Sequence, residues 1–373
     1  MSAIAQVEAW AVRLPMRASF ATSRGTVGTQ ASGRVLVLVR LQDTRGRAGW
    51  GEAGPIPQWS AETVGSVLDA VRHHLGPAVL GREPADLAGL HAALDGALAP
   101  GRDRGMPIAK AGIDLAAHDL LGRQGGMPLW QLLGRRGLPA VRLSWTVLAH
   151  DPADSVRQGL EAGFRHFNVK VGLGVERDAA MVRTVRGLAG PHAFLWADAN
   201  GGYVPHEGLA AARALATAGA DLLEQPFPPH ALSACRALVA TSPLPIALDE
   251  AVTSPGELAE AATQRALHFF VLKATRTGGL WPSRLCGELA LAHGLGLLAS
   301  GLTDGGLAFT ANVGLAAALG VERPCALNGP QLLAEDVLAS GLRRDGDTVQ
   351  APEGPGLGVE VDAERLERYR LPL

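Results

Sequence analysis

From residue 141 onward, short apolar runs alternate with amphipathic stretches, and five runs in succession end on a charged residue and a turn rich in glycine or proline. They are HFNVKVG (166–172), FLWADANGG (194–202), DLLEQPF (221–227), PIALDE (245–250) and FFVLKATRTGG (269–279). The charged residues, Lys170, Asp198, Glu224, Asp249 and Lys273, follow one another at 28, 26, 25 and 24 residues. That beat fits one strand, one loop, one helix and one return per unit. Runs without polar alternation are expected of a parallel sheet covered on both faces. Apolar residues at helical spacing fill the gaps, at 151–163, 206–219, 254–266 and 309–320. VRLSWTVL (141–148) reads as a first strand, the five runs as strands two to six, LGLLAS (295–300) as a seventh and CALNGP (325–330) as a weak eighth. A βα repeat with its polar residues at the C-terminal ends of the strands predicts an α/β fold, a modified (β/α)8 barrel over 131–335 with the active site at that end.

The first 130 residues follow another rhythm. Residues 4–14 and 34–41 alternate as strands, 41–52 reads as a hairpin turning at Asp43 and Gly46, and helical patterns follow at 60–75, 86–98 and 107–124. Strands followed by a block of helices predict an α+β capping domain over 1–130. Two polar, glycine-rich stretches, 20–28 and 51–60, are expected as loops that cover or touch a ligand. The segment 336–373, lacking a helical period from 341 on, is expected as a short meander packing back on the capping domain. At 373 residues the chain is longer than a barrel alone, which takes about 250.

Composition narrows the partners. Lys and Arg total 34 against 36 Asp and Glu, so nothing favours a nucleic acid or a membrane surface. No apolar run spans a bilayer and MSAIAQVEAW lacks a signal-peptide pattern, so a cytoplasmic location is expected. Cys235, Cys286 and Cys325 lie in apolar contexts and read as buried thiols.

Asp198, Glu224 and Asp249 end three consecutive strands. Each aspartate alone could cap the next helix; glutamate is a poor cap. Carboxylates gathered at neighbouring strand ends repel one another, and a hard divalent cation, Mg²⁺ or Mn²⁺ in its place, removes that repulsion. Lys170 and Lys273 fall four strands apart in an eight-stranded barrel, on opposite walls, and lysines are seldom buried without a partner or a task. Such a site suits abstraction of the proton next to a carboxylate. The cation would compensate charge on the enolate oxygens, and a lysine would take or return the proton.

With GWGE (49–52), GIDLAAHDLLGRQGGMPLWQLLG (112–134), DANGG, LEQP, LDE, K-x-x-x-x-GG (273–279) and APEGPGLGVEVD added, the chain resembles the enolase superfamily, in its muconate lactonizing enzyme (mandelate racemase/muconate cycloisomerase) subgroup. That superfamily is itself a standard instance of a Lys base working with Mg²⁺. The resemblance implies Asp198, Glu224 and Asp249 as metal ligands and Lys170 with Lys273 as the acid–base pair. It places Asn168, Asn200, Glu250 and Asp304 behind them, and Phe20, Arg24 and Trp59 against the substrate. It further implies an isomerase (cycloisomerase, racemase or epimerase) acting on a small carboxylate, in a homo-oligomer between dimer and octamer. The alternatives are a lyase of the same superfamily, forming o-succinylbenzoate or dehydrating a hydroxy acid, a Schiff-base aldolase using Lys273, and a non-catalytic binding protein. The chain departs from the subgroup at Asn168, where Lys is usual, and at Asp304, where Glu is usual. It also lacks the paired aspartates on strand eight with which dipeptide epimerases hold an amino group.

Overall fold

A computed structural model describes residues 2–101, 105–134 and 137–373. Strands β1 (Ile4–Leu14), β4 (Arg34–Asp43) and β5 (Ala48–Ala53) form an antiparallel sheet in the order β1-β4-β5, and β2 (Phe20–Thr22) and β3 (Gly25–Gly28) form a separate hairpin between β1 and β4. The stretch 20–28, expected as a loop, is therefore a small hairpin, turned at Ser23 and Arg24, with Gly25 opening β3 at φ +128°. Its strands are too short for alternation to show. In the β4–β5 turn the Asp43 carboxylate accepts the amides of Arg45 and Arg47 while Gly46 adopts φ +82°. The stretch 51–60 carries one helical turn, Pro57–Ser60.

The helix Pro107–Gly125 is almost wholly buried and lies on β5. GWGE makes this approach possible: a Cβ on Gly51 would fall 2.1 Å from the Gly112 carbonyl oxygen, and one on Gly49 2.4 Å from that of Ala116. Asp119 ties the contact down, accepting from the Trp50 amide at 2.8 Å and, through its other oxygen, from the Leu357 amide at 2.9 Å.

The expected first barrel strand divides. β6 (Ala140–Arg142) pairs antiparallel with a strand of the C-terminal segment, whereas β7 (Trp145–Val147) joins the barrel. An apolar run can serve two sheets in this way because the Leu143 amide donates to Asp347 and the Ser144 amide to Cys325. β8 (Phe167–Lys170), β9 (Leu195–Asp198), β10 (Leu222–Glu224), β11 (Ile246–Leu248), β12 (Phe269–Leu272) and β13 (Gly296–Ala299) continue one parallel sheet in sequence order. The weak eighth strand is reduced to single bridges: Cys325 to Leu143 and Ala326 to Ser300, both parallel, so the segment touches both edges of the seven-stranded sheet. The C-terminal segment supplies β14 (Arg344–Asp345) and β15 (Thr348–Gln350), then, against expectation, a helix, Ala363–Tyr369, capped by Asp362. Its Leu371 amide donates to Ala11 on β1.

Side chains alternate along a strand, and register partners in a parallel pair share a face. Trp196, Leu222, Ala247, Val271, Leu298 and Ala326 form one buried cluster inside the barrel, a floor contributed strand by strand. Two residues further along the same strands and on the same face stand Asp198, Glu224, Asp249, Lys273, Ser300 and Asn328. The repeating unit thus reads as floor residue, spacer, rim residue. Cys235, Cys286 and Cys325 are buried and unbonded, and burial pushes each thiol up to about 12.

Candidate active site

Lys170, Asp198 and Glu224 are register partners across β8, β9 and β10, so they reach the same height on one wall. Lys273, just beyond β12, is four strands from β8 in the sheet order. Each lysine ends at a carboxylate: Lys170 Nζ lies 2.5 Å from Asp198 Oδ2, and Lys273 Nζ 2.5 Å from Asp249 Oδ2. The second oxygen of Asp249 receives Arg276. All the carboxylates are buried: Asp198 is 2 % exposed, Glu224 1 % and Asp249 0 %.

Burial first, then the charges of Asp198 and Asp249, raise the Glu224 carboxyl well above the ordinary value, and its Oε1 has no hydrogen-bond partner. Burial would raise Asp249 too, but Lys273 and Arg276, with a hydrogen bond from Glu224, outweigh it and hold the group at about 2. Lys170 is shifted upward: burial lowers it, and Asp198 and Glu224 more than reverse that. A general base needs a shift in the opposite direction. Glu250 is raised to about 8 by burial and by Asp249 and Asp198; both its oxygens lack hydrogen-bond partners, with Arg24 Nε 3.9 Å away.

Among the described residues no three His, Cys, Asp or Glu side chains form a metal cage as they stand; Asp198 and Asp249 are instead hydrogen-bonded to the lysines. The donor set nevertheless fits a divalent cation. Three buried carboxylates converge, one carries an orphaned oxygen, and two are close enough to share a proton. Hard oxygen donors of this kind suit Mg²⁺.

The other expected residues fall around this core. Asn200, at φ +46°, donates its amide and side chain to Asp198 at 2.9 and 3.1 Å. Asn168 lies on the floor level beside Trp196, and neither of its side-chain polar atoms has a partner. Asp304 does not line the cavity that holds the lysines. It accepts from Asn312 Nδ2 at 3.0 Å, and Asn312 Oδ1 accepts the amide of Ala274 next to Lys273. Phe20, Arg24 and Trp59 line the same cavity as both lysines, and Trp59 places its ring 4.7 Å from Lys273 Nζ. That cavity has about 40 Å³ of free space, covered by the β2–β3 hairpin and the turn Pro57–Ser60. A larger one, about 430 Å³, lies beside Arg17, Phe309 and Leu338 and contains neither lysine.

Three further residues had no signal of role in the chain. Arg276 is brought onto Asp249 by the helical turn Ala274–Thr277, a fold-back that K-x-x-R spacing permits without requiring. Gln225, at φ +38°, accepts the amides of Asp249 and Ala251 and so sets the β11 strand end. Arg34, 3 % exposed, donates to the carbonyls of Gly54, Pro55 and Leu302, pinning the covering loop to the end of β13.

Two family models match this chain. Residues 4–134 match the family model for the mandelate racemase / muconate lactonizing enzyme N-terminal domain, and 151–365 that for the enolase C-terminal domain-like fold. The chain is 26 % identical to the N-succinyl-L-Arg/Lys racemase of Bacillus cereus, over 98 % of this chain and 97 % of that protein. It is 29 % identical to muconate cycloisomerase 1 of Rhodococcus opacus, over 91 % and 92 %. A dipeptide epimerase from Enterococcus faecalis, solved with Mg and the dipeptide L-Leu-L-Tyr, superposes with a TM-score of 0.89 at 25 % identity, over 96 % of this chain and all of that one. Strand-end carboxylates, facing lysines, capping sheet and matched domains agree: this chain is an enzyme of the mandelate racemase/muconate lactonizing enzyme family, within the enolase superfamily.

Proposed function

We propose that this enzyme is a Mg²⁺-dependent isomerase that moves the proton on the carbon next to the carboxylate of a small organic acid. The observation that carries the reading is the pair Lys170 and Lys273, on opposite walls of one small cavity and each backed by a carboxylate. Asp198, Glu224 and Asp249 would hold the cation. When bound, Mg²⁺ supplies compensation for the negative charge that develops on the substrate's carboxylate oxygens. The cavity's charged lining is entirely cationic, Arg24 with the two lysines, which suits an anionic substrate. One lysine, neutral, removes the α-proton; the other, as ammonium, delivers one to the opposite face or holds the enolate by hydrogen bonding. With Asp198 and Glu224 engaged in holding the cation, their upward pull on the Lys170 ammonium would weaken.

The relatives named above are a racemase, a cycloisomerase and an epimerase, which favours an isomerase over a lyase. Lys273, tied to Asp249, is poorly disposed to form a Schiff base. The test is exchange: with Mg²⁺ and a turned-over carboxylate in D₂O, deuterium is expected at the α-carbon of substrate and product. Product formed without any deuterium at that carbon would rule out an enolate protonated by an exchangeable lysine. Calorimetry of Asp198→Asn, Glu224→Gln and Asp249→Asn tests the ligand set independently, since Mg²⁺ affinity should fall in each.

A further inference from the structure

The barrel floor is apolar on six strands and polar on two. Trp196, Leu222, Ala247, Val271, Leu298 and Ala326 have polar counterparts only at Thr146 on β7 and Asn168 on β8, which are direct register partners. Both are 1 % exposed, and both line the cavity that holds the lysines. Thr146 is held by its backbone, which exchanges hydrogen bonds with the Gln331 side chain at 2.9 and 2.8 Å, leaving its hydroxyl free to point elsewhere. Beside them on the closing segment, Asn328, 7 % exposed, also lines the cavity. Thr146 Oγ1, both polar atoms of Asn168 and Oδ1 of Asn328 have no hydrogen-bond partner in the protein. Buried polar atoms are rarely left so, because each unmet group costs free energy. These four lie together, in one sector of one cavity.

The chemistry of that sector is specific. It offers donors and acceptors but no charge, and either rotation of the Asn168 amide presents one of each. A second substrate carboxylate would be desolvated there beside amide oxygens, while the cavity's lysines are already paired with Asp198 and Asp249. A substrate ammonium would find no carboxylate in the lining, only Arg24, Lys170 and Lys273. We propose that Thr146, Asn168 and Asn328 form a neutral hydrogen-bonding subsite that selects a monocarboxylate whose distal group is an uncharged carboxamide, and rejects both dicarboxylates and amino acids with a free distal ammonium. This rests on the isomerase reading for where the first carboxylate binds. It goes beyond that reading in assigning the distal group and the residues that choose it. The competing explanation is purely structural: Asn168 could serve the floor alone, its carbonyl turned to the unpartnered Trp196 Nε1.

The experiment uses the Mg²⁺-loaded enzyme and two matched ligand sets, built on succinate and on glutarate. Each set contains the diacid, its half-amide and the corresponding ω-amino acid. Dissociation constants come from calorimetry, and α-deuterium exchange is followed in parallel. Wild type should bind a half-amide roughly ten- to hundredfold more tightly than its diacid or amino analogue, the discrimination expected when a charged group is buried unpaired. Asn168→Lys should move the preference to the diacid, and Asn328→Asp to the amino acid. The subsite is wrong if Mg²⁺ binds yet no half-amide does, if wild type ranks the three alike, or if both variants fold, bind Mg²⁺ and keep the wild-type ranking. The last result would return Asn168 to the floor. If instead half-amides are selected but no ligand exchanges its α-proton, it is the isomerase reading that fails.

Discussion

Two rings inside one barrel share the same strands and differ in almost everything else. The lower, Trp196, Leu222, Ala247, Val271, Leu298 and Ala326, is a buried apolar cluster. The upper, Asp198, Glu224, Asp249, Lys273, Ser300 and Asn328, stands two residues on, about 6.6 Å along each strand. Its charged members are as thoroughly buried as the floor beneath them. The lower ring contributes stability by removing apolar surface from water. The upper ring holds like charges together and leaves a carboxyl oxygen unsatisfied, which costs stability; in the function proposed above, the same groups bind a cation and move a proton. Strand ends tolerate this because the sheet below them is already made.

The largest effect expected from the upper ring is on turnover. Lys170→Ala or Lys273→Ala should slow α-deuterium exchange by about two to four decades, the usual worth of a positioned acid or base. Exchange within tenfold of wild type in either variant would break the division of labour between the rings.

Three truncations sharpen the contrast in stability. Trp196→Ala and Leu298→Ala, in the floor, should cost about 3–5 and 2–5 kcal/mol. Ser300→Ala, one layer above Leu298, loses only a long hydrogen bond to the Ala326 carbonyl, 3.3 Å, and should cost under about 1.5 kcal/mol. Thermal or denaturant unfolding reads all three. Equal losses at 298 and 300 would mean that the rings are not energetically distinct.

The smallest effect concerns pH. Glu224 has its folded-state pKa raised, by burial and then by Asp198 and Asp249, so the folded protein holds this proton more firmly than the unfolded chain. Its contribution is therefore most favourable below the unfolded value of about 4.5 and is lost as pH rises toward the folded value. In metal-free protein, Glu224→Gln should melt progressively higher relative to wild type as pH increases from 4.5. A melting-temperature difference that does not change with pH would show that the raised carboxyl does not burden the fold.

Much of this was legible in the chain because periodicity encodes faces. Apolar runs ending in Lys170, Asp198, Glu224, Asp249 and Lys273 at near-constant spacing specify strands, their order and the end that carries the chemistry. The two-residue period of a strand likewise puts Asn168 and Lys170 on one side. Short elements escaped. The helix Ala363–Tyr369 buries only Leu366, and the β2–β3 hairpin has strands of three and four residues, so neither can show a period. Residues 141–148 misled because an apolar run records burial, not which sheet provides it.

Tertiary structure alone decided the contacts across distance. It seats Arg34 on Leu302, Arg276 on Asp249, each lysine on its carboxylate, and Trp59 over Lys273. It also brings Thr146, Asn168 and Asn328 to one place by joining Cys325 and Ala326 to the two edges of the sheet. A sequence determines which face a residue takes from its neighbours two or four positions away. Which charge or amide it meets there depends on how the barrel closes, and that is a property of the whole chain.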